Sequence, residues 1–146
     1  MPKRVLIVAG KMDLGGLEMM MMNFFRLVDP TKIVFDFMLN YKEKGFFDDE
    51  IIALGGKTFI MPRLKFRNTF KYIKEVNSFF KKNKGKYEIV HGNLTSVGFI
   101  YLPLAKLHGV KTTIIHAHYT RTQIALKGYI ERLALLPLRF CADYYF

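Results

Sequence analysis

Short β-branched runs alternate with longer segments of helical period along almost the whole chain, and this alternation limits the fold more than any other feature. "RVLIV" (4–8), "KIVFDFMLN" (32–40), "KTFIM" (57–61), "YEIVHGN" (87–93), "VKTTIIHAH" (110–118) and "ADYYF" (142–146) are candidate strands. Most read as continuous apolar runs, the signature of strands buried on both faces. Between them lie segments with apolar residues three or four apart, such as Leu17, Met20, Met21, Phe24 and Val28. Asp29-Pro30 stops that first helix, because proline disfavours helical geometry at the preceding residue. In "FDDEIIALGG", acids at Asp48, Asp49 and Glu50 suit a helix start and Gly55-Gly56 a helix end. The segment 68–83 places Phe70, Ile73, Val76 and Phe80 on one face of a basic amphipathic helix. Further helices are expected over "SVGFIYLPLAKLHG" (96–109) and "IALKGYIERLALLPLRF" (124–140). Strands alternating with helices predict an α/β fold: a Rossmann-like, doubly wound parallel sheet with helices on both faces, joined by right-handed crossovers.

With 146 residues and 51% hydrophobic composition the chain can bury one substantial core, so residues 1–146 read as a single domain. No internal repeat or low-complexity linker interrupts it. One cysteine, Cys141, expected at the buried start of the last strand, cannot form an internal disulfide, and "MPKRVLIVAG" lacks the pattern of a signal peptide. A reducing, cytoplasmic location is therefore expected. Charged residues break every apolar segment before about 18 residues, which argues against a spanning helix. "ADYYF" has the look of a buried strand with nothing after it to cover it, so the chain is expected to be one half of a larger protein. The net charge of +11 favours anionic partners without choosing among nucleic acid, acidic lipid and phosphorylated small molecules.

In doubly wound sheets ligands bind beyond the carboxyl ends of the strands. The expected loops there carry Lys11 to Glu18, Asn40 and Tyr41, Arg63, His91 to Asn93, and His116 to Thr120. "DLGGLE" is neither a dinucleotide fingerprint nor a P-loop. Gly15-Gly16 at a helix start would let backbone N–H groups approach an anion, and equally suits a plain strand-to-helix turn. The methionines Met19 to Met22 read as core filler. His116 and His118 point to opposite faces of a strand, and no Cys or paired acids stand at ligand spacing, so no metal site is expected. A single histidine is ordinarily a hydrogen-bonded structural residue; His91 and His116 at adjacent strand ends shift the balance toward a site.

The ordered set "RVLIV…LGGLE…NFF", "FDFMLN", "GFFDDEI…LGGK…PR", "YEIVHGN", "GVKTTIIHAHYT" and "ADYYF" resembles the N-terminal domain of family 4 glycosyltransferases, retaining enzymes of the GT-B fold, and in particular bacterial members that build surface polysaccharides. The resemblance covers essentially the whole chain. It implies a two-domain enzyme. This half would hold a glycan or polyprenyl-linked acceptor, and a C-terminal half absent from the chain would hold most of the nucleotide-sugar donor. It further implies that Gly15 and Gly16 approach the donor phosphates, that His116 is catalytic beside the transferred sugar, and that Glu18, His91, Asn93, His118 and Thr120 contact the acceptor. Here "HGN" stands where many relatives carry a second histidine. A nucleoside-diphosphate-sugar is implied as co-substrate, with no metal or other cofactor, and the isolated half is expected to be inactive.

The basic helix adds a location. Arg67, Lys71, Lys74, Lys81 and Lys82 surround Phe66, Phe70, Phe79 and Phe80, a combination that suits an anionic membrane surface, or else a solvated helix whose phenylalanines are core. A stand-alone Rossmann-like binding module for an anionic ligand or nucleic acid is the alternative reading, although no nucleic-acid motif is recognisable. A nicotinamide-dependent oxidoreductase would want the missing fingerprint, and a phosphate-accepting domain would want clustered acids near Asp13.

Overall fold

The computed structural model describes residues 2–116 and 138–146, apart from the side chain of Arg139. Six parallel strands form one sheet in the order β3-β2-β1-β4-β5-β6: β1 (Lys3–Ala9), β2 (Ile33–Leu39), β3 (Thr58–Ile60), β4 (Tyr87–Gly92), β5 (Thr112–Ile115) and β6 (Tyr144–Tyr145). The described helices are α1 (Gly16–Leu27), α2 (Asp48–Ala53), α3 (Thr69–Lys82), α4 (Thr95–Leu107) and the single turn α5 (Leu138–Cys141). The strand order reverses across β1 and β4, the arrangement of a Rossmann-like α/β fold. The expected fold class is therefore the observed one.

Strand alternation sorts the core into two layers. From β1, Leu6 and Val8 join Tyr72, Val76, Phe79 and Phe80 of α3 and Tyr101 and Leu102 of α4. Ile7 and Ala9 point the other way, to Met21, Met22 and Phe25 of α1 and Ile51 of α2. Parallel strands covered on both faces need this apolar content at successive positions. Gly55 (φ +83°) and Gly109 (φ +92°) take the left-handed conformation that ends α2 and α4.

One carboxylate is buried within this frame. Asp36 of β2 is fully buried. It pairs with Arg4 Nη1 at 2.6 Å and Lys86 Nζ at 2.9 Å, and accepts hydrogen bonds from the Tyr87 hydroxyl and the Lys57 N–H. Burial, then the hydrogen bond to Asp36, raises the Tyr87 hydroxyl far above the usual phenol range.

Four expectations need correction. Helix α3 turns Tyr72, Val76, Phe79 and Phe80 inward, whereas Phe70 is 89% exposed and Ile73 stands at the surface. Helix α1 buries Met21, Met22 and Phe25, leaving Phe24 exposed. The final strand is two residues long and exposed, because among the described residues it lies at the sheet edge and pairs only with β5. Cys141 closes α5 instead of opening that strand, and is half-buried. Of the helix expected over 124–140, only the last turn lies within the described residues.

Candidate functional site

Lacing between strand ends builds the carboxyl edge. Asn40 N–H donates to the Gly10 carbonyl at 3.1 Å, Asn93 N–H to Val8 at 2.8 Å, and His116 N–H to Gly92 at 2.9 Å. These bonds extend the parallel ladder past the strands, so the ends of β2, β1, β4 and β5 are held in fixed relation.

His91 and His116 come together at this edge. Their ring centroids are 6.2 Å apart and the planes differ by 2°. Register explains the meeting: His91 pairs with Ile114, and His116 lies two residues further on, hence on the same face. His91 also pairs with Ile7, which packs toward α1, so the two imidazoles stand on the α1 side of the sheet. Phe146 flanks His116 at 6.4 Å between ring centroids. Gly92 makes room from the opposite face: a Cβ there would collide with the Tyr101 hydroxyl and with Ile115. Asn93 is buried beside them.

The glycine loop is held firmly by the segment before α2. Phe46 N–H donates to Asp13 Oδ1 at 2.9 Å, Phe47 N–H donates to the Met12 carbonyl at 2.9 Å, and Met12 is fully buried. Gly45 lies so close to Met12 that a Cβ would stand 2.6 Å from its carbonyl oxygen. Lys11 and Asp13 pair at 2.8 Å, and that contact, followed by the Phe46 N–H, holds the Asp13 carboxyl below its usual range. The loop enters α1 already ordered.

Gly15 and Gly16 have different parts in it. The Gly15 N–H closes a turn onto the Asp13 carbonyl at 2.9 Å, and Gly15 is extended at φ −128°. Its contribution is the absent Cβ, since the Glu18 carboxylate folds back over that position. The N–H groups of Gly16, Leu17 and Glu18 are the first of α1, where intrahelical partners run out. A carboxylate over this end is favoured by the helix dipole. Glu18 thus sits where an incoming anion would be drawn.

Arg63 and Tyr41 complete the described edge. The guanidinium stacks over the Tyr41 ring at 4.7 Å, and beside them Asn40 Oδ1 is buried with no hydrogen-bond partner among the described residues. The stacking of Arg63 on Tyr41 and the clamp of Gly45 on Met12 have no counterpart in the sequence pattern. Both depend on tertiary contacts; the glycine of "EKGFF" was the only local hint of the second. His118 and Thr120 lie outside the described residues. Among the described residues no group of three or more His, Cys, Asp or Glu could hold a metal ion.

The fold and this edge define a Rossmann-like α/β domain with its polar residues collected at the topological switch point. No family model matches the chain. A Bacillus subtilis (strain 168) protein named "Putative glycosyltransferase EpsF" is 36% identical to it over 138 residues. The match covers 94% of this chain and 35% of the relative, so the chain spans about a third of that relative's length.

Proposed function

We propose that this chain is the acceptor-side half of a retaining, GT-B, family 4 glycosyltransferase. In the full protein it would transfer a sugar from a nucleoside-diphosphate-sugar to a hydroxyl of a glycan or lipid-linked glycan in surface-polysaccharide synthesis. The observation that carries the reading is the similarity to the glycosyltransferase-named Bacillus protein over nearly the whole chain. The facing imidazoles and the ordered glycine loop support it, because both stand on the edge where such chemistry would be housed.

The anomeric carbon–oxygen bond to the diphosphate breaks, the acceptor oxygen bonds to that carbon on the same face, and the acceptor proton leaves with the diphosphate. The transition state has oxocarbenium character and a departing anion, so positioning and charge stabilisation dominate. The N–H groups that open α1 would face the departing diphosphate once Glu18 swings aside, and Gly15 leaves the approach clear. His116 would bond the transferred sugar. His91 and Asn93, with His118, Thr120 and the displaced Glu18, would hold the acceptor. No metal or other cofactor enters this reading, and most donor contacts belong to the C-terminal half, so this chain alone would bind acceptor without turnover. A cytoplasmic site at the inner membrane face follows for a lipid-linked acceptor.

The test is to incubate the full-length protein with a panel of nucleoside-diphosphate-sugars and a lipid and glycan extract, following product masses. The reading expects one donor to add one glycosyl residue. Absence of transfer from every donor contradicts it.

A further inference from the structure

Helix α3 carries three distinct stripes. At about 100° per residue, Lys71, Lys74, Lys81 and Lys82 fall within an arc of about 100°, with Arg67 in the turn before the helix. Beside that arc run Phe70 and Ile73, and only then comes the buried face of Tyr72, Val76, Phe79 and Phe80, while Phe66 stands in the preceding turn. Phe66 is 99% exposed and Phe70 is 89% exposed. Two phenylalanines open to water one turn apart are not an accident of core packing, because Tyr72 and Val76 already supply the core from this end of α3. Only Glu75 opposes the basic arc, pairing with Lys71 at 3.8 Å. The 3-10 turn Phe66–Asn68 that holds the first phenylalanine is fixed by Asn68, whose side chain accepts from the Lys65 N–H and donates to the Arg63 carbonyl.

Position gives the stripe its meaning. Residues 61–68 leave the carboxyl end of β3, so Phe66 and Phe70 project near the sheet edge that bears the glycine loop and the imidazoles. No helix among the described residues is long and apolar enough to cross a membrane.

We infer that the start of α3 docks on an anionic bilayer. Phe66 and Phe70, with Ile73 behind them, enter the headgroup–acyl boundary, while Arg67, Lys71 and Lys74 bind lipid phosphates and Lys81 and Lys82 extend the contact along the helix. Charge complementarity selects an anionic surface, and the aromatic pair selects a lipid one over a nucleic acid, which offers no apolar layer to enter. Docking does not depend on the glycosyltransferase reading; only its consequence, that the carboxyl edge faces lipid-linked acceptors, rests on it.

The chain has no tryptophan, so Phe70→Trp supplies a single reporter. This variant should bind phosphatidylglycerol vesicles with a blue-shifted emission quenched by brominated acyl chains, and should ignore phosphatidylcholine vesicles. In sedimentation assays Phe66→Ser with Phe70→Ser should weaken binding at least about ten-fold, and Lys71→Gln or Lys74→Gln about five-fold each. Circular dichroism must show these variants folded; because all four residues are at the surface, they should be. No affinity for phosphatidylglycerol, no blue shift, or equal binding by the serine double variant would overturn the inference. A preference for duplex DNA that is indifferent to both phenylalanines would overturn it in favour of a nucleic-acid surface. Vesicle binding without sugar transfer by the full protein would defeat the enzymatic reading alone.

Discussion

The imidazoles of His91 and His116 face each other at 6.2 Å between centroids and within 2° of parallel, although 25 positions separate them in sequence. Adjacent parallel strands in fixed register bring them together, and the backbone bond from His116 to Gly92 holds the second ring at the strand end. With His91 assigned to the acceptor, His91→Ala in the full protein is expected to raise the acceptor KM at least about ten-fold while leaving donor KM little changed. Kinetics with each substrate varied in turn check this split. Equal loss in both would move His91 into the donor site.

Glu18 covers the start of α1, so a diphosphate bound there, as proposed, would displace a like charge. Glu18→Gln should tighten binding of a nucleoside diphosphate to the full protein by about two- to five-fold. Isothermal titration with UDP, GDP and ADP in turn measures it. Weaker binding would mean that the carboxylate contacts the nucleotide directly.

Gly92 lies under the Tyr101 hydroxyl with no space for a side chain. Gly92→Ala should destabilise the fold by about 2 kcal/mol through overpacking, and Tyr101→Phe in the same chain should restore part of that loss. Urea denaturation of the single and double variants gives both values. Additive effects would show that the two residues do not compete for the same space.

Much of this could be read from the sequence. The parallel apolar strands β1 to β5, their crossovers, and the gathering of His91 and His116 at one edge follow from run composition and strand order. The helix faces followed only in part: Met21, Val76 and Phe80 are buried as expected, whereas Phe24, Phe70 and Ile73 are not. In α1, four successive methionines leave the apolar stripe wide enough that Met22 and Phe25 face inward beside Met20 and Met21, while Phe24 is left outside. In α3, Phe66, Phe70 and Ile73 repeat at helical spacing just as Tyr72, Val76 and Phe79 do, and period alone cannot say which stripe meets the sheet. Loop clamps such as Asp13 to the Phe46 N–H join residues 33 positions apart and leave no local pattern.

Asp36 is fully buried among cations that keep about a quarter of their side chains in water, 24% for Arg4 and 27% for Lys86. Removing its charge leaves both without a counter-ion, so Asp36→Asn should cost about 3 kcal/mol, reduced from the fully buried case by that exposure. Tyr87→Phe, which removes the bond donated to Asp36 and the one accepted from Lys86 Nζ, should cost less, about 1–2 kcal/mol. Equal losses in urea denaturation would indicate that the hydrogen bonds, not the charge, are what the core requires.

Asp143 fastens the final segment to β5. Its carboxylate takes Lys106 Nζ at 2.6 Å and the Thr113 N–H at 2.8 Å, and these contacts, Lys106 first, lower its pKa below the usual 3.8. With the folded pKa depressed, the stabilisation is fully present above the unfolded value and is lost as pH falls through the lower folded one. Amide exchange at Tyr144 and Tyr145 should therefore accelerate below about pH 4 relative to the strands of the centre. Asp143→Asn should remove that pH dependence; an unchanged profile would assign it elsewhere.

The central claim is that the carboxyl edge carrying His116 is a site of sugar transfer. Its most direct test is His116→Ala in the full-length protein, assayed for transfer with the donor that the wild type uses. The account predicts a fall in kcat of at least about a hundred-fold with the fold intact by circular dichroism. Transfer at the wild-type rate would contradict it and place the chemistry away from this edge.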